Sequence, residues 1–234
     1  NLMLKNLSVS FVNLLTKIAN ISLESGILAA SWKCSKVTMI PKKSGYDEDP
    51  TCYRPISLTS CVGKVVERVA TEQLSSYLEN NNLLVVEQSG FRKFRSTQDN
   101  LLFLTHKISE TLARKKKCVS IFFDIAKAFD KVWHEGLLYK MIEMNVPFHI
   151  IKWVRSFLSD RSFRIKVGES QSDPNPILAG VPQGAVISPV LFSIFINDIP
   201  IHKNKTNKAY CLLFADDLVM LGCYKKPSHI QQLL

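Results

Sequence analysis

The stretch Ala209-Tyr-Cys-Leu-Leu-Phe-Ala-Asp-Asp-Leu-Val-Met-Leu-Gly222 sets two adjacent carboxylates, Asp216 and Asp217, in the middle of an apolar run. Ionised groups drawn into an apolar setting need a cation or a hydrogen-bonded turn to offset their lost hydration. Strand-forming residues lead in and Leu218 to Leu221 lead out, so the segment reads as a β-hairpin with the carboxylates at its turn. One account of the pair is conformational, because Asp tolerates the left-handed backbone of tight turns. The other is chemical, and it requires a third carboxylate delivered to the same place.

Such a carboxylate exists. Cys118 to Asp124 is the clearest strand of the first half, apolar on both faces as a central strand would be, and it too ends in a charge, Phe122-Phe123-Asp124-Ile125. Two buried strands that each finish on an Asp can bring their carboxylates side by side. Without neutralisation the group repels itself; hard, oxygen-seeking divalent cations, Mg²⁺ first, relieve that repulsion. A pair of such ions about 4 Å apart clamps the attacking and leaving oxygens of an in-line phosphoryl transfer. Successive strand side chains alternate in direction, so Asp216 and Asp217 cannot project alike. Asp216 is expected to be the firmer ligand and Asp217 the weaker or water-mediated one.

The chain around these segments is basic, with a formal charge of +10, which favours a polyanionic partner, nucleic acid before membrane. No apolar run is long enough to span a membrane: Val186 to Ile199 is broken by Ser188, Pro189, Ser193, Asn197 and Asp198. The six cysteines form no Cys-x-x-Cys pair and no metal-ligand spacing with histidine, and are expected to be reduced core residues of an intracellular protein. The first residues resemble a helix rather than a signal peptide and lack an initiating Met, which reads as a fragment.

Periodicity predicts a helix to Gly26 with a stripe of Leu4, Leu7, Phe11, Leu14, Leu15, Ile18 and Ile21, then short strands at Val37–Ile40 and Ile56–Leu58, the latter held to an edge by Pro55. A second helix presents Val62, Val65, Val66, Val69, Ala70, Leu74, Tyr77 and Leu78 on one face and Lys64, Glu67, Arg68 and Glu72 on the other. Ser96 or Thr97 caps a third, whose face is Leu101, Leu104, Ile108 and Leu112, and whose basic end, Arg114 to Lys117, suits a helix C-terminus. Helices at His134–Asn145 and Phe148–Leu158, a half-exposed strand at Ser162–Gly168, a buried helix from Val190, and a further helix from Pro227 complete the order. The fold class expected is α+β, with helices packed on one face of a mainly antiparallel sheet.

Six blocks in order carry a resemblance: Ile40-Pro-Lys42, Tyr53-Arg-Pro-Ile-Ser-Leu58, Glu87-Gln-Ser-Gly-Phe-Arg92, Phe123-Asp-Ile-Ala-Lys-Ala-Phe-Asp-Lys-Val-Trp-His134, Ala179-Gly-Val-Pro-Gln-Gly-Ala-Val-Ile-Ser-Pro-Val-Leu-Phe192 and Phe214-Ala-Asp-Asp217. They resemble the reverse transcriptases of non-LTR retrotransposons, jockey-like elements in particular. The resemblance implies a right-hand polymerase fold without its thumb: residues 1–30 a helical extension, 31–117 fingers, and 118–234 a palm that stops after the catalytic hairpin. It implies copying of RNA into DNA, with an RNA template, a DNA primer and dNTPs as partners. Two Mg²⁺ ions are implied as cofactors, Mn²⁺ being a possible substitute, and a nuclear or cytoplasmic ribonucleoprotein as the setting.

Residue by residue, Asp124, Asp216 and Asp217 match the family's metal-binding catalytic triad. Phe129 matches the aromatic steric gate against a 2′-hydroxyl. Gln183 and Gly184 match the motif lining the nucleotide and template-base pocket, where a glycine lets backbone approach a ligand. Lys42 and Arg54 match finger residues that neutralise the incoming triphosphate. Arg92, Lys93 and Arg95 would follow the template backbone, with Phe91 or Phe94 packing beneath. Asp130 stands outside the triad, bonding backbone at the turn into the next helix. Ala185 and Ile187 depart from the usual Ser and Leu. Two alternatives stay open: an inactive retroelement remnant that binds RNA, and an RNA-dependent RNA polymerase, which Phe129 and Ala215 disfavour.

Overall fold

Alternation and capping place the elements that matter in the computed structural model, which describes residues 6–42, 49–199 and 208–224. The helix expected from Pro227, and most of the polar loop from Ser44, lie outside the described residues. The chain divides into two compact units, residues 1–83 with 129–194, and residues 84–128 with 195–234.

The first unit opens with helix α1 (Val9–Ser25), whose N-terminus is capped by the Ser8 hydroxyl accepting from the Phe11 amide. The face it buries is Ala19, Ser22 and Leu23, and Phe11, Leu14 and Ile21 of the expected stripe are exposed. Small residues let the helix approach α5 (Phe148–Leu158) closely, where the Trp153 indole donates to Ser22 Oγ at 3.0 Å. Strand β1 (Cys34–Pro41) pairs antiparallel with β2 (Tyr53–Leu58) in the register Val37↔Ser57 and Met39↔Pro55, leaving β2 at the edge where Pro55 forfeits no ladder donor.

On its other side β1 pairs in parallel with β4 (Ser162–Val167), extended by two short strands, β5 (Ser170–Gln171) and β6 (Asn175–Pro176). The expected mainly antiparallel pairing is divided, among the described residues, between two sheets, and this one contains a parallel pair. A parallel crossover needs a long connection, which the helices between β2 and β4 provide within and around this unit. Helices α2 (Cys61–Asn80), α4 (His134–Glu143), α5 and α6 (Ser188–Phe195) supply the core, with Leu74, Leu78, Leu137, Met141, Trp153, Phe157 and Phe192 fully buried. Glu67, expected on the polar face of α2, is 3% exposed.

The second unit is built on three antiparallel strands in the order β3-β8-β7: β3 (Lys117–Asp124), β7 (Lys208–Phe214) and β8 (Asp217–Tyr224). Among the described residues β8 is central and β3 lies at an edge, against expectation. An apolar run on both faces reports what covers those faces and is silent on whether both edges are paired; here Phe122 is 70% exposed. Helix α3 (Thr97–Ala113) starts on a complete capping box between Ser96 and Asp99. It buries Thr111, whose hydroxyl donates to Cys223 Sγ, while Leu101 and Leu112 of the expected apolar face are exposed. Phe103 packs edge-on against Tyr210 of β7 with ring centroids 5.6 Å apart. None of the six cysteines is in a disulfide, but only Cys211 and Cys223 are buried, and Cys34 and Cys61 are exposed. No described helix is long and apolar enough to cross a membrane.

Candidate nucleotidyl-transfer site

The hairpin at the centre of the second unit joins β7 to β8 through a loop of Ala215 and Asp216, with Phe214 paired to Asp217. Ala215, and neither aspartate, has a positive φ, of 57°. A positive φ at the first loop residue alone is the II′ hairpin pattern, normally served by glycine. In a residue with a Cβ it costs roughly 1–2 kcal/mol. The conformational account of the aspartates therefore fails, since the residue that bends the chain is the alanine before them.

Register then decides which carboxylates meet. Asp124 closes β3 directly opposite Asp217, which opens β8. Directly opposed residues of an antiparallel pair project from the same face with Cβ atoms about 5 Å apart. Asp216 sits one residue away in the turn. Asp124 and Asp217 are exposed and Asp216 is half-buried, so the carboxylates escape the burial the apolar segment suggested. Like-charge repulsion is what remains. The donor chemistry, carboxylate oxygen throughout, fits a hard divalent cation. Among the described residues no three His, Cys, Asp or Glu side chains are gathered into a ready ligand cluster. The register thus supplies an opposed pair, with Asp216 beside it.

The turn is held from outside the hairpin. Residues Glu87 to Ser89 run alongside β7: the Leu213 amide donates to the Glu87 carbonyl at 3.0 Å and the Ser89 amide to the Leu213 carbonyl at 2.9 Å. Arg92 and Arg95, expected to track a template backbone, are half-buried and donate to carbonyls of this segment. Arg92 Nη1 reaches Val85 O at 2.8 Å and Gln88 O at 3.2 Å, and Arg95 Nη1 reaches the carbonyls of Val86 and Gln88. Lys93 is exposed, and so are Phe91 and Phe94.

The remaining expected site residues belong to the first unit. Lys42 follows β1, its amide donating to Cys52 O at 2.8 Å, and Arg54 lies exposed on β2 at the same end of the pair. Phe129 opens a 3₁₀ turn, Phe129–Lys131, and its ring stacks on Phe192 with centroids 4.9 Å apart. Gln183 is half-buried; its carbonyl accepts from the Ser57 amide at 2.7 Å and its Nε2 donates to Asp130 Oδ1 at 3.0 Å. Asp130 thus orients a side-chain amide and not the backbone bond expected of it. Gly184 has φ +112°, and a Cβ there would lie 2.8 Å from Ser57 O, so only glycine fits.

The loop from Gly180 to Ile187 is fastened at further points that the sequence left unremarked. His134 Nε2 donates to Gly180 O at 2.7 Å, and the amides of Gly180 and Val181 bond the carbonyls of Val132 and Phe129. The buried Glu67 carboxylate accepts from the Val186 amide at 2.8 Å. Burial raises the Glu67 pKa, and the backbone bonds and the neighbouring Arg161 guanidinium lower it less than burial raises it. The wall between β1, β2, β4 and this loop encloses a hollow of about 390 Å³, lined by Val37, Met39, Phe163 and Ile165 and rimmed by Asp130 and Gln183.

Residues 40–234 match the family described as reverse transcriptase (RNA-dependent DNA polymerase). The probable RNA-directed DNA polymerase from transposon BS of Drosophila melanogaster is 35% identical over 226 residues, 94% of this chain and 25% of the relative. The RNA-directed DNA polymerase from mobile element jockey of the same species is 35% identical over 211 residues, 88% of this chain and 23% of the relative. The chain spans about a quarter of the length of these relatives. Among solved structures, telomerase from Candida tropicalis in complex with a TWJ fragment of telomeric RNA superposes with a TM-score of 0.60 at 13% identity, covering 96% of this chain and 41% of that one. That likeness is one of fold.

Proposed function

The chain belongs to the reverse transcriptase family, and we propose that it carries the nucleotidyl-transfer centre of an RNA-directed DNA polymerase from a non-LTR, jockey-like retrotransposon. The observation that carries the proposal is the register of the three-stranded sheet, which opposes Asp124 to Asp217 one residue from Asp216. A hairpin strained at Ala215 and bearing two carboxylates, with a third on the neighbouring strand at the same end of the sheet, has no stability rationale, since like charges directly opposed are unfavourable. The proposed division keeps residues 1–30 as an extension, 31–117 as fingers and 118–234 as palm.

Reverse transcriptases as a family use divalent metals, and Mg²⁺ or Mn²⁺ bound here would neutralise the transferring phosphate. Asp124, Asp216 and Asp217 would hold the ions. Lys42 and Arg54, both exposed at one end of the β1–β2 pair, would take the triphosphate of a dNTP. Phe129 would exclude a 2′-hydroxyl; its ring is braced by Phe192, and a gate works only if its ring cannot swing aside. Gln183 and Gly184 would line the base pocket, the first with its amide fixed by Asp130. Arg92, Lys93 and Arg95 would follow the template phosphates. Catalysis would rest on positioning and charge stabilisation, the primer 3′-hydroxyl displacing pyrophosphate.

The test is primer extension by the full chain on poly(rA)·oligo(dT). Asp124→Asn and Asp216→Asn are expected to lower extension by at least about 100-fold, as loss of a major electrostatic stabiliser does. Undiminished extension by Asp216→Asn would remove the metal assignment. Phe129→Ala is expected to admit ribonucleotides, and its failure to do so would remove the gate. RNA binding with no extension by the unaltered chain would mark a remnant instead.

A further inference from the structure

Gln88 is 1% exposed, yet its side chain reaches the backbone of the strained turn. Its Oε1 accepts from the Ala215 amide at 3.1 Å and from the Gly90 amide at 2.7 Å, and its Nε2 donates to Ala215 O at 3.4 Å. In a two-residue hairpin the first loop residue lies outside the ladder, so its amide and carbonyl have no strand partner. Gln88 occupies both. A side-chain carboxamide is the group that can do this, since it offers one acceptor and one donor on a single rigid plane.

The approach is built for. A Cβ at Gly90 would overlap the Ala215 nitrogen, so a glycine there lets the segment close on the turn. The backbone on either side of Gln88 is bonded to Leu213, and Asn100 Nδ2 donates to the same Leu213 carbonyl at 3.1 Å. Arg92 and Arg95 brace the far side through the Gln88 carbonyl. Gln88 therefore cannot follow the turn if the turn moves. A backbone held at φ 57° in an alanine persists only where its surroundings over-determine it.

We propose that Gln88 is a positioning residue for the proposed polymerase centre: it locks Ala215 in its left-handed conformation and so fixes where Asp216 and Asp217 point. The inference rests on the polymerase reading for its consequence, and on the hydrogen bonds alone for the clamp. Gln88→Met keeps length and removes all three bonds. Gln88→Glu keeps an acceptor and loses the donor to Ala215 O. Ala215→Gly removes the penalty of positive φ.

In the full chain, Gln88→Met is expected to lower kcat for primer extension tenfold or more with the dNTP KM unchanged, and to raise the Mg²⁺ concentration at half-maximal rate. Gln88→Glu should fall between it and the unaltered chain. Combining Ala215→Gly with Gln88→Met should recover at least threefold of the lost rate, which a general packing defect would not permit. Independently of activity, hydrogen exchange at the Ala215 amide should accelerate at least tenfold in Gln88→Met and less in Gln88→Glu. Unchanged exchange in both variants overturns the clamp, and so does a change in dNTP KM with kcat intact. If Gln88→Met does not fold, Gln88→Glu with unaltered exchange and rate overturns it equally. Faster exchange in Gln88→Met in a chain whose unaltered form does not extend primers supports the clamp and rejects the polymerase reading.

Discussion

Asp217 illustrates how a single residue can oppose stability at a site proposed for chemistry. It faces Asp124 across the last pair of the β3–β8 ladder, where like charges repel. Asp217→Asn should therefore raise stability in metal-free buffer by about a few tenths of a kcal/mol, solvent screening keeping the gain small. Added Mg²⁺ should narrow the difference, because under the proposed metal assignment it would bind the native pair. Thermal melts with and without Mg²⁺ check this, and an unstabilised variant would contradict the opposed pairing. The aspartates, Phe129 and the Gln183-Gly184 pair were singled out in the sequence because the blocks that hold them resemble a family's blocks. Gln88 lay inside those blocks and went unassigned, and Asp130 was given a backbone bond, because what each does depends on a partner distant in sequence, Ala215 for one and Gln183 for the other.

At the scale of elements, the loop before α6 is where burial and titration meet. Glu67 projects from α2 to the Val186 amide, and burial holds its pKa above the ordinary carboxylate value. The folded state then keeps the proton more tightly than the unfolded chain does. The associated stability is fully present below the unfolded pKa and is lost as pH rises through the raised folded value. Glu67→Gln, which retains an acceptor for Val186 and cannot ionise, should remove that part of the pH dependence. Its melting temperature relative to the unaltered protein should climb from pH 4 towards neutrality, and parallel pH profiles would refute the assignment. Periodicity placed α2 correctly but put Glu67 on its wet face, because the neighbours that cover it come from the loop before α6. The same limit explains α1 and α3, whose apolar stripes were read correctly as helical and are largely exposed. Amphipathic spacing identifies a helix, whereas the buried face is chosen by what packs against it.

For the whole molecule, the formal charge of +10 is the property with the broadest consequence. A polyanion bound through lysine and arginine releases counterions, so RNA affinity should fall steeply and linearly in log–log form with salt, with little dependence on sequence. Lys93→Ala should flatten that slope by roughly one counterion. Arg95→Ala should act on the hairpin segment as well, since its guanidinium bonds the carbonyls of Val86 and Gln88. Filter binding across a salt series separates the two, and equal behaviour of both variants would argue against the bracing role. By itself, the sequence determined the element types and the α+β class, which follow from local spacing and composition, and it carried the family and the residue set of the candidate site through blocks that resemble that family's. Tertiary structure alone decided the division into two sheets, the edge position of β3, the pairing of Asp124 with Asp217 and the alanine at the turn. Those are matters of which groups face one another, and strand register and close backbone approach are settled by packing between segments far apart in the chain.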